Sequence, residues 1–94
     1  MIPFEVKQGE LINGIGFNFV NRLVTGETIL SSVVTTGNGL TVTGTSNSGA
    51  DAIASIQVGN DIPDQETFID FTVTGSAGSV RKARRVVIIK ALSE

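Results

Sequence analysis

The chain has 94 residues, the length of a single domain, and a formal net charge of −2. It contains no His, Cys, Tyr or Trp. The composition therefore excludes disulfides, thiolate or imidazole metal sites and the Ser-His-Asp and Cys-His devices of nucleophilic enzymes, so we expect neither catalysis nor a cofactor.

The first predicted element is a short strand at Phe4–Lys7, behind Pro3, because proline is tolerated at the first position of a strand or on a sheet edge. Residues 1–10 fit either the first edge strand of the domain or an N-terminal arm that reaches a neighbouring molecule. Residues 1–6 contain no basic residue and no long apolar run, so we expect no secretory signal. No apolar run approaches the ~20 residues of a membrane-spanning helix.

The next elements are a strand at Ile15–Val20, where apolar residues alternate with small or polar ones, and one helical turn at Asn21–Val24. Five further strands are predicted from β-branched residues and alternation, and these are Thr28–Thr36, Leu40–Thr45, Asp51–Val58, Thr67–Thr74 and Ser79–Leu92. Gly37-Asn38-Gly39 is a hairpin turn signal, and Ser46–Gly49 and Gly59–Gln65 are predicted loops. Seven short strands with turn signals every 8–12 residues predict one all-β domain over residues 1–94, an immunoglobulin-like antiparallel β-sandwich.

The loop at Asn60–Glu66 carries the acidic residues Asp61, Asp64 and Glu66. Their oxygens suit Ca²⁺, but the spacing does not match an EF-hand, so we expect solvated side chains and no metal, with a Ca²⁺ site as the alternative. The same acids are the only candidates for acid–base catalysis on a sugar. A sugar site usually also offers Trp or Tyr for stacking, and the chain has neither.

Charge is unevenly distributed along the chain. Residues 1–80 hold eight acids and two bases, whereas residues 81–94 hold five bases and one acid. Four of these bases form a dense run, in which alternate residues point to opposite faces of a strand: Arg81, Lys82, Arg84 and Arg85. Three interpretations are open, namely protection of a strand edge, contact with an acidic face of a neighbouring subunit, and nucleic-acid binding. Because no Tyr or Trp is available for base stacking and the rest of the chain is acidic, we expect no nucleic acid.

Several short motifs occur in a characteristic order: Phe17-Asn18-Phe19, Leu23-Val24-Thr25-Gly26-Glu27-Thr28-Ile29, Ser31-Ser32, Gly39–Val42, Phe71–Thr74, the turn Gly75–Gly78, the Arg-rich Arg81–Arg85 and the apolar Val86–Ile89. This order resembles the small immunoglobulin-like virion proteins of tailed bacteriophages known as fibre–tail adaptor proteins. The resemblance covers residues 15–90. Family members often carry Trp or Tyr near the first strand and a Gly-Gly turn before the last hairpin, where this chain has Phe17, Phe19 and residues 60–64.

The resemblance implies a non-enzymatic structural protein of the virion, assembled in the cytoplasm of the bacterial host. Its role would be a tail or neck adaptor that links fibres or tail components, in multiple copies of a symmetric assembly, with other phage structural proteins as partners and no membrane. The alternatives are a capsid cement or decoration protein and an adhesion or carbohydrate-binding β-module. The residues that we expect at the contacts are Ile2, Pro3, Phe4, Arg81, Lys82, Arg84 and Arg85.

The corner between the second and third predicted strands is expected to be structural. Leu23 should fold back over the sheet, Gly26 should relieve backbone strain, and Glu27 should accept hydrogen bonds from the backbone of the turn.

Overall fold

The computed structural model describes residues 4–60 and 63–91, which form seven strands and no helix. The strands are β1 (Phe4–Lys7), β2 (Leu11–Asn18), β3 (Ile29–Thr36), β4 (Leu40–Ser48), β5 (Asp51–Val58), β6 (Gln65–Gly75) and β7 (Val80–Lys90). One sheet has the order β1-β7-β6-β3 and the other the order β2-β5-β4. All paired strands are antiparallel except β1 and β7, which are parallel. The predicted immunoglobulin-like β-sandwich is therefore confirmed.

The core lies between the two sheets and follows the alternation along β5 and β6. Ile69, Phe71 and Val73 in β6 are fully buried, as are the corresponding small and branched residues of β5. Phe19, directly after β2, is also fully buried and stacks obliquely on Phe17 at 4.8 Å between ring centroids. Within the described part of the chain, no helix is long and apolar enough to cross a membrane.

β1 is an edge strand of the domain's own sheet, which is one of the two arrangements expected for residues 1–10. Phe4 pairs with Val87 and packs against the core. Ile2 and Pro3, the other predicted contact residues of this segment, lie outside the described residues.

Two strands are longer than their patterns predicted. β2 begins at Leu11 rather than at residue 15, because a bulge at Asn13 and Gly14, with φ +84° at Gly14, interrupts the alternation. β4 continues to Ser48 through residues that were predicted to be a loop. Its backbone pairs with β5 up to Asp51, although the side chains of residues 43–48 are all exposed and so gave no apolar signal.

The single helical turn predicted at Asn21–Val24 is present but begins earlier, at Phe19, and it does not continue into a helix. The N–H groups of Arg22 and Leu23 both donate to the carbonyl of Phe19, at 2.8 and 3.0 Å, and these two bonds close a tight turn. Leu23 does fold back onto the core as expected.

Candidate functional site: a basic surface at the start of β7

The first half of β7 extends beyond its neighbour β1. β1 pairs only with Val87–Lys90, so within residues 4–60 and 63–91 the segment Val80–Val86 has a strand on one side only, which is β6. An open strand edge presents backbone N–H and C=O groups to solvent or to another molecule. The predicted basic run lies on this open segment.

Glu27 fixes the turn from which β7 begins. Its Oε2 accepts hydrogen bonds from the N–H groups of Ala77 and Ser79 at 2.9 and 3.2 Å, and its Oε1 accepts one from Val24 at 3.0 Å. One buried carboxylate therefore joins the corner after β2 to the β6–β7 turn. The sequence predicted its hydrogen bond within the corner but not those to the β6–β7 turn. Gly26 has φ +83°, also as expected.

The same contacts determine the ionisation of Glu27. Burial by itself raises the pKa of this carboxyl, but the hydrogen bonds from Val24, Ser79 and Ala77 favour the charged form and leave the pKa below its usual value of 4.5. The carboxylate also occupies the space in which a side chain at Gly75 would lie. Glu27 is thus a charged clasp between two loops, and Gly75 provides the room for it.

An open cleft of about 470 Å³ lies between the corner after β2 and the start of β7, lined by Asn21, Arg22, Val80, Arg81 and Lys82. It brings two residues of the predicted run together with Arg22, which the sequence analysis did not single out. The Nη1 of Arg22 donates to the carbonyl of Lys82 at 2.7 Å, and its guanidinium lies 5.2 Å from the ring centroid of Phe17. Arg22 therefore covers one backbone group of the open β7 edge and adds a third cation to the cleft.

Topology is the signal that could have identified Arg22. In a sandwich of this type, β2 ends at the same end of the domain at which β7 begins. A basic residue four positions after the end of β2 must therefore lie near the start of β7.

The side chain of Arg84 contacts residues of its own sheet. It makes two hydrogen bonds to Asp70 across the β6–β7 pair, at 2.7 and 2.8 Å, and its guanidinium lies 4.0 Å from the ring centroid of Phe68. The hydrogen bond from Arg84 is the main reason that the pKa of Asp70 is lowered, and the pKa of Arg84 is raised in turn. The structure thus pairs this charge. Lys82 also lowers the pKa of Asp70 through its charge, but among the described residues neither Lys82 nor Arg81 forms a salt bridge.

Arg85 lies apart from these side chains. It is opposite Ile69 in the register of β6 and β7, on the side of the sheet that includes the buried Ala83, and it is half-buried. The four predicted bases therefore do not form one patch, although Lys82 also lines a second open cleft with Asp70 and Arg84. Arg81 and Lys82 share a cleft with Arg22, and we refer to these three side chains as the basic surface.

The opposite end of the domain carries three acids beside the lysines Lys7 and Lys90. Glu10 lies in the turn before β2, Asp64 precedes β6 and accepts the N–H of Ala91 at 2.7 Å, and Glu66 is exposed near the start of β6. The domain measures 48 × 24 × 18 Å. Strands of eleven residues span about 36 Å at 3.3 Å per residue, so the long axis follows the strands and separates the two ends.

The predicted acidic loop has few described features. Asp61 and Ile62 lie outside the described residues, and Asp64 is engaged by the backbone of Ala91. In the part of the chain that the structure describes, no three acidic side chains come together in a group that could hold a metal ion.

Comparison of the chain with protein-family models and with curated proteins finds no match.

Proposed function

We propose that this chain is a non-enzymatic structural protein of a tailed-phage virion, a tail or neck adaptor that binds neighbouring subunits through its basic surface. The proposal combines the resemblance of residues 15–90 to fibre–tail adaptor proteins with the charge distribution of the fold. The observation that carries it is the convergence of Arg22, Arg81 and Lys82 on one cleft at one end of an elongated domain. Acids lie at the other end.

The basic surface is suited to an acidic protein face rather than to a small substrate. The cleft is open and is lined by long, flexible cations around an exposed strand segment. Such a surface attracts an acidic partner, orients it during approach and disfavours a basic one. Weak contacts of this kind become strong when many copies of a subunit act together in a symmetric assembly.

The fold also supports head-to-tail contact between like subunits. A contact that joins one end of a subunit to the other end of the next is heterologous, and it generates rings or filaments rather than closed dimers. With cations at one end and, at the other, Glu10, Asp64 and Glu66 beside Lys7 and Lys90, the basic surface of one copy would meet an end of the next copy that offers three acids. A ring of this kind would suit the tail or neck role that the proposal assigns.

The first experiment is quantitative mass spectrometry of purified virions, with this chain counted against the major capsid protein. A copy number on the scale of one tail ring supports the adaptor. A ratio near one per capsid subunit replaces it with a cement protein, and absence from virions overturns a virion role altogether.

The second experiment tests the basic surface directly, with Arg81→Glu combined with Lys82→Glu. We expect the variant to fold but to be depleted from particles by at least about tenfold, because two attractive contacts become repulsive. The matched control is Lys7→Glu combined with Lys90→Glu, which makes the same charge change at the acidic end, where both lysines terminate their strands. Normal incorporation of the Arg81 and Lys82 variant would contradict the role of this surface.

A further inference from the structure

Backbone hydrogen-bonding groups in the first half of β7 point away from β6. Along a strand, the N–H and C=O groups of successive residues point alternately to the two sides. The carbonyl of Lys90 accepts the N–H of Gln8 beside β1, and the carbonyl of Lys82 accepts the side chain of Arg22. Because β7 pairs with β6 without a break in register, the even-numbered residues between these two positions face the same side. Lys82 and Arg84 therefore present their N–H groups to the side on which β1 lies.

This side of β7 already holds a strand over half of its length. β1 pairs with Val87–Lys90, so among residues 4–60 and 63–91 no strand lies beside Val80–Val86. The carbonyl of Lys82 is covered by Nη1 of Arg22 at 2.7 Å, in the place where the N–H of a neighbouring strand would donate. No described residue accepts a hydrogen bond from the N–H of Lys82 or Arg84. The arrangement lacks the acceptors that an added strand would supply.

The side chains along this segment select the charge of an added strand. Arg81 and Lys82 are exposed, point to opposite faces of the sheet and form no salt bridge with the described residues. Two consecutive residues of a neighbouring strand would lie beside them, one on each face. Opposite charges stabilise such cross-strand pairs, and like charges destabilise them. The next position adjoins the small, buried Ala83, where an apolar side chain fits.

We propose that the partner of the basic surface adds an extended acidic segment as a further strand beside Val80–Val86, in line with β1. In this mode of recognition the main-chain hydrogen bonds provide affinity and the side chains provide specificity. Two consecutive acids of the segment lie beside Arg81 and Lys82, and its backbone pairs with Lys82 and Arg84. An N–H of the segment takes over the Lys82 carbonyl, which releases the guanidinium of Arg22 to an acidic side chain.

This inference rests on the proposed function, from which it takes the acidic protein partner, and it adds how that partner binds. A strand of this length buries less than the ~1,200 Å² at which stable interfaces begin, so a single contact is weak. Many copies in one assembly make such contacts strong together. The basic run thus both protects the edge from indiscriminate pairing and admits one class of strand.

The test is NMR measurement of rapid amide exchange with water in the full chain, with the peptide Thr-Val-Glu-Glu-Val-Thr-Val, blocked at both ends, at up to about 5 mM. We expect exchange at Lys82 and Arg84 to slow by at least about threefold, because pairing removes these amides from solvent. The matched control peptide has lysine in place of both glutamates, and it should change the two rates by less than about 1.5-fold. Arg81→Glu combined with Lys82→Glu should abolish the effect of the glutamate peptide.

Each other result overturns the strand addition in a different way. Equal slowing by both peptides would show that charge does not select the strand, and no slowing by either would show that the edge takes none. Slow exchange at Lys82 and Arg84 without peptide would show that the chain itself occupies the edge. Shifted signals of Arg81 and Lys82 without slower exchange would mean that the acidic peptide binds through side chains alone. That result leaves the proposed function standing, since its own failure appears as normal incorporation of the charge-reversed variant into virions.

Discussion

On one flank of the sandwich, the open part of β7 carries Arg81 and Lys82 and is joined by Arg22, whereas on the opposite flank β3 carries no charged residue and lies alongside β4. Both edges belong to the same four-stranded sheet. Their chemistry differs, since a charged edge selects an oppositely charged partner, whereas an uncharged edge makes no such selection. The difference teaches that one small sheet can confine a salt-dependent contact to a single edge.

The largest expected effect comes from Gly75→Ala, which disturbs the turn at the start of the charged strand β7. The added methyl group would collide with the carboxylate of Glu27, and the clasp that fixes the start of β7 would have to open. We expect the free energy of unfolding to fall by about 1–3 kcal/mol, as for an overpacked buried site. Chemical denaturation measures it.

Gly44→Ala is the control for this substitution, because no atom lies within 4 Å of where its side chain would be. It should leave stability within about 0.5 kcal/mol of the wild type. Equal stability of the two variants would show that the clasp is not rigid.

An intermediate effect is expected from the pH-dependent contribution of Glu27 to the stability of the turn before β7. Because the folded-state pKa lies below the usual 4.5, the carboxylate contributes stability that is fully present above pH 4.5 and is lost as the pH falls through the folded-state pKa. Glu27→Gln should therefore lower Tm at pH 7 by several degrees, and it should flatten the loss of Tm that the wild type undergoes on acidification.

Thermal unfolding between pH 7 and pH 3 measures this prediction. Glu66→Gln, which changes an exposed carboxyl of β6, is expected to keep the wild-type profile. A profile for Glu27→Gln that parallels the wild type at every pH would contradict the role of the clasp.

The smallest effect is expected from Arg84→Ala, and it sharpens the distinction between structural and docking charges on β7. Removal of the guanidinium leaves Asp70 unpaired and uncovers Phe68, so Tm should fall by a few degrees, the scale of an exposed ion pair. The pKa of Asp70 should rise toward its ordinary 3.8, which NMR titration measures. Incorporation into particles should persist.

Lys82→Ala is the control, two residues earlier on the same face. It should leave Tm unchanged and reduce incorporation, the reverse of Arg84→Ala. If Arg84→Ala reduced incorporation as much as Lys82→Ala, the paired guanidinium would belong to the docking surface.

The fold was predictable from sequence wherever one face of a strand is buried. β5 keeps its predicted bounds, and β6 shows the predicted alternation, because their inward positions are regularly apolar. The first half of β2 and the end of β4 were missed for a physical reason. A bulge shifts the phase of alternation in β2, and β4 pairs through its backbone while its side chains stay in solvent.

The candidate site was predictable only in part. The charge run located Arg81 and Lys82 directly, but it could not separate them from Arg84, whose partner Asp70 lies on another strand. Arg22 is isolated in sequence, and only the return of the chain to the same end of the sandwich brings it to the cleft. Residues that meet across strands require the register, which alternation alone does not provide.

The parallel pairing of β1 with β7 has a mechanical consequence. Phe4 begins β1 and Lys90 ends β7, and the ladder between the two strands runs from Phe4 and Val87 to Lys7 and Lys90. A force that pulls these two residues apart along the strands acts in shear, so the hydrogen bonds of the ladder share the load and cannot be unzipped one at a time. A domain strung between two neighbours by its first and last strands would hold tension through this short ladder.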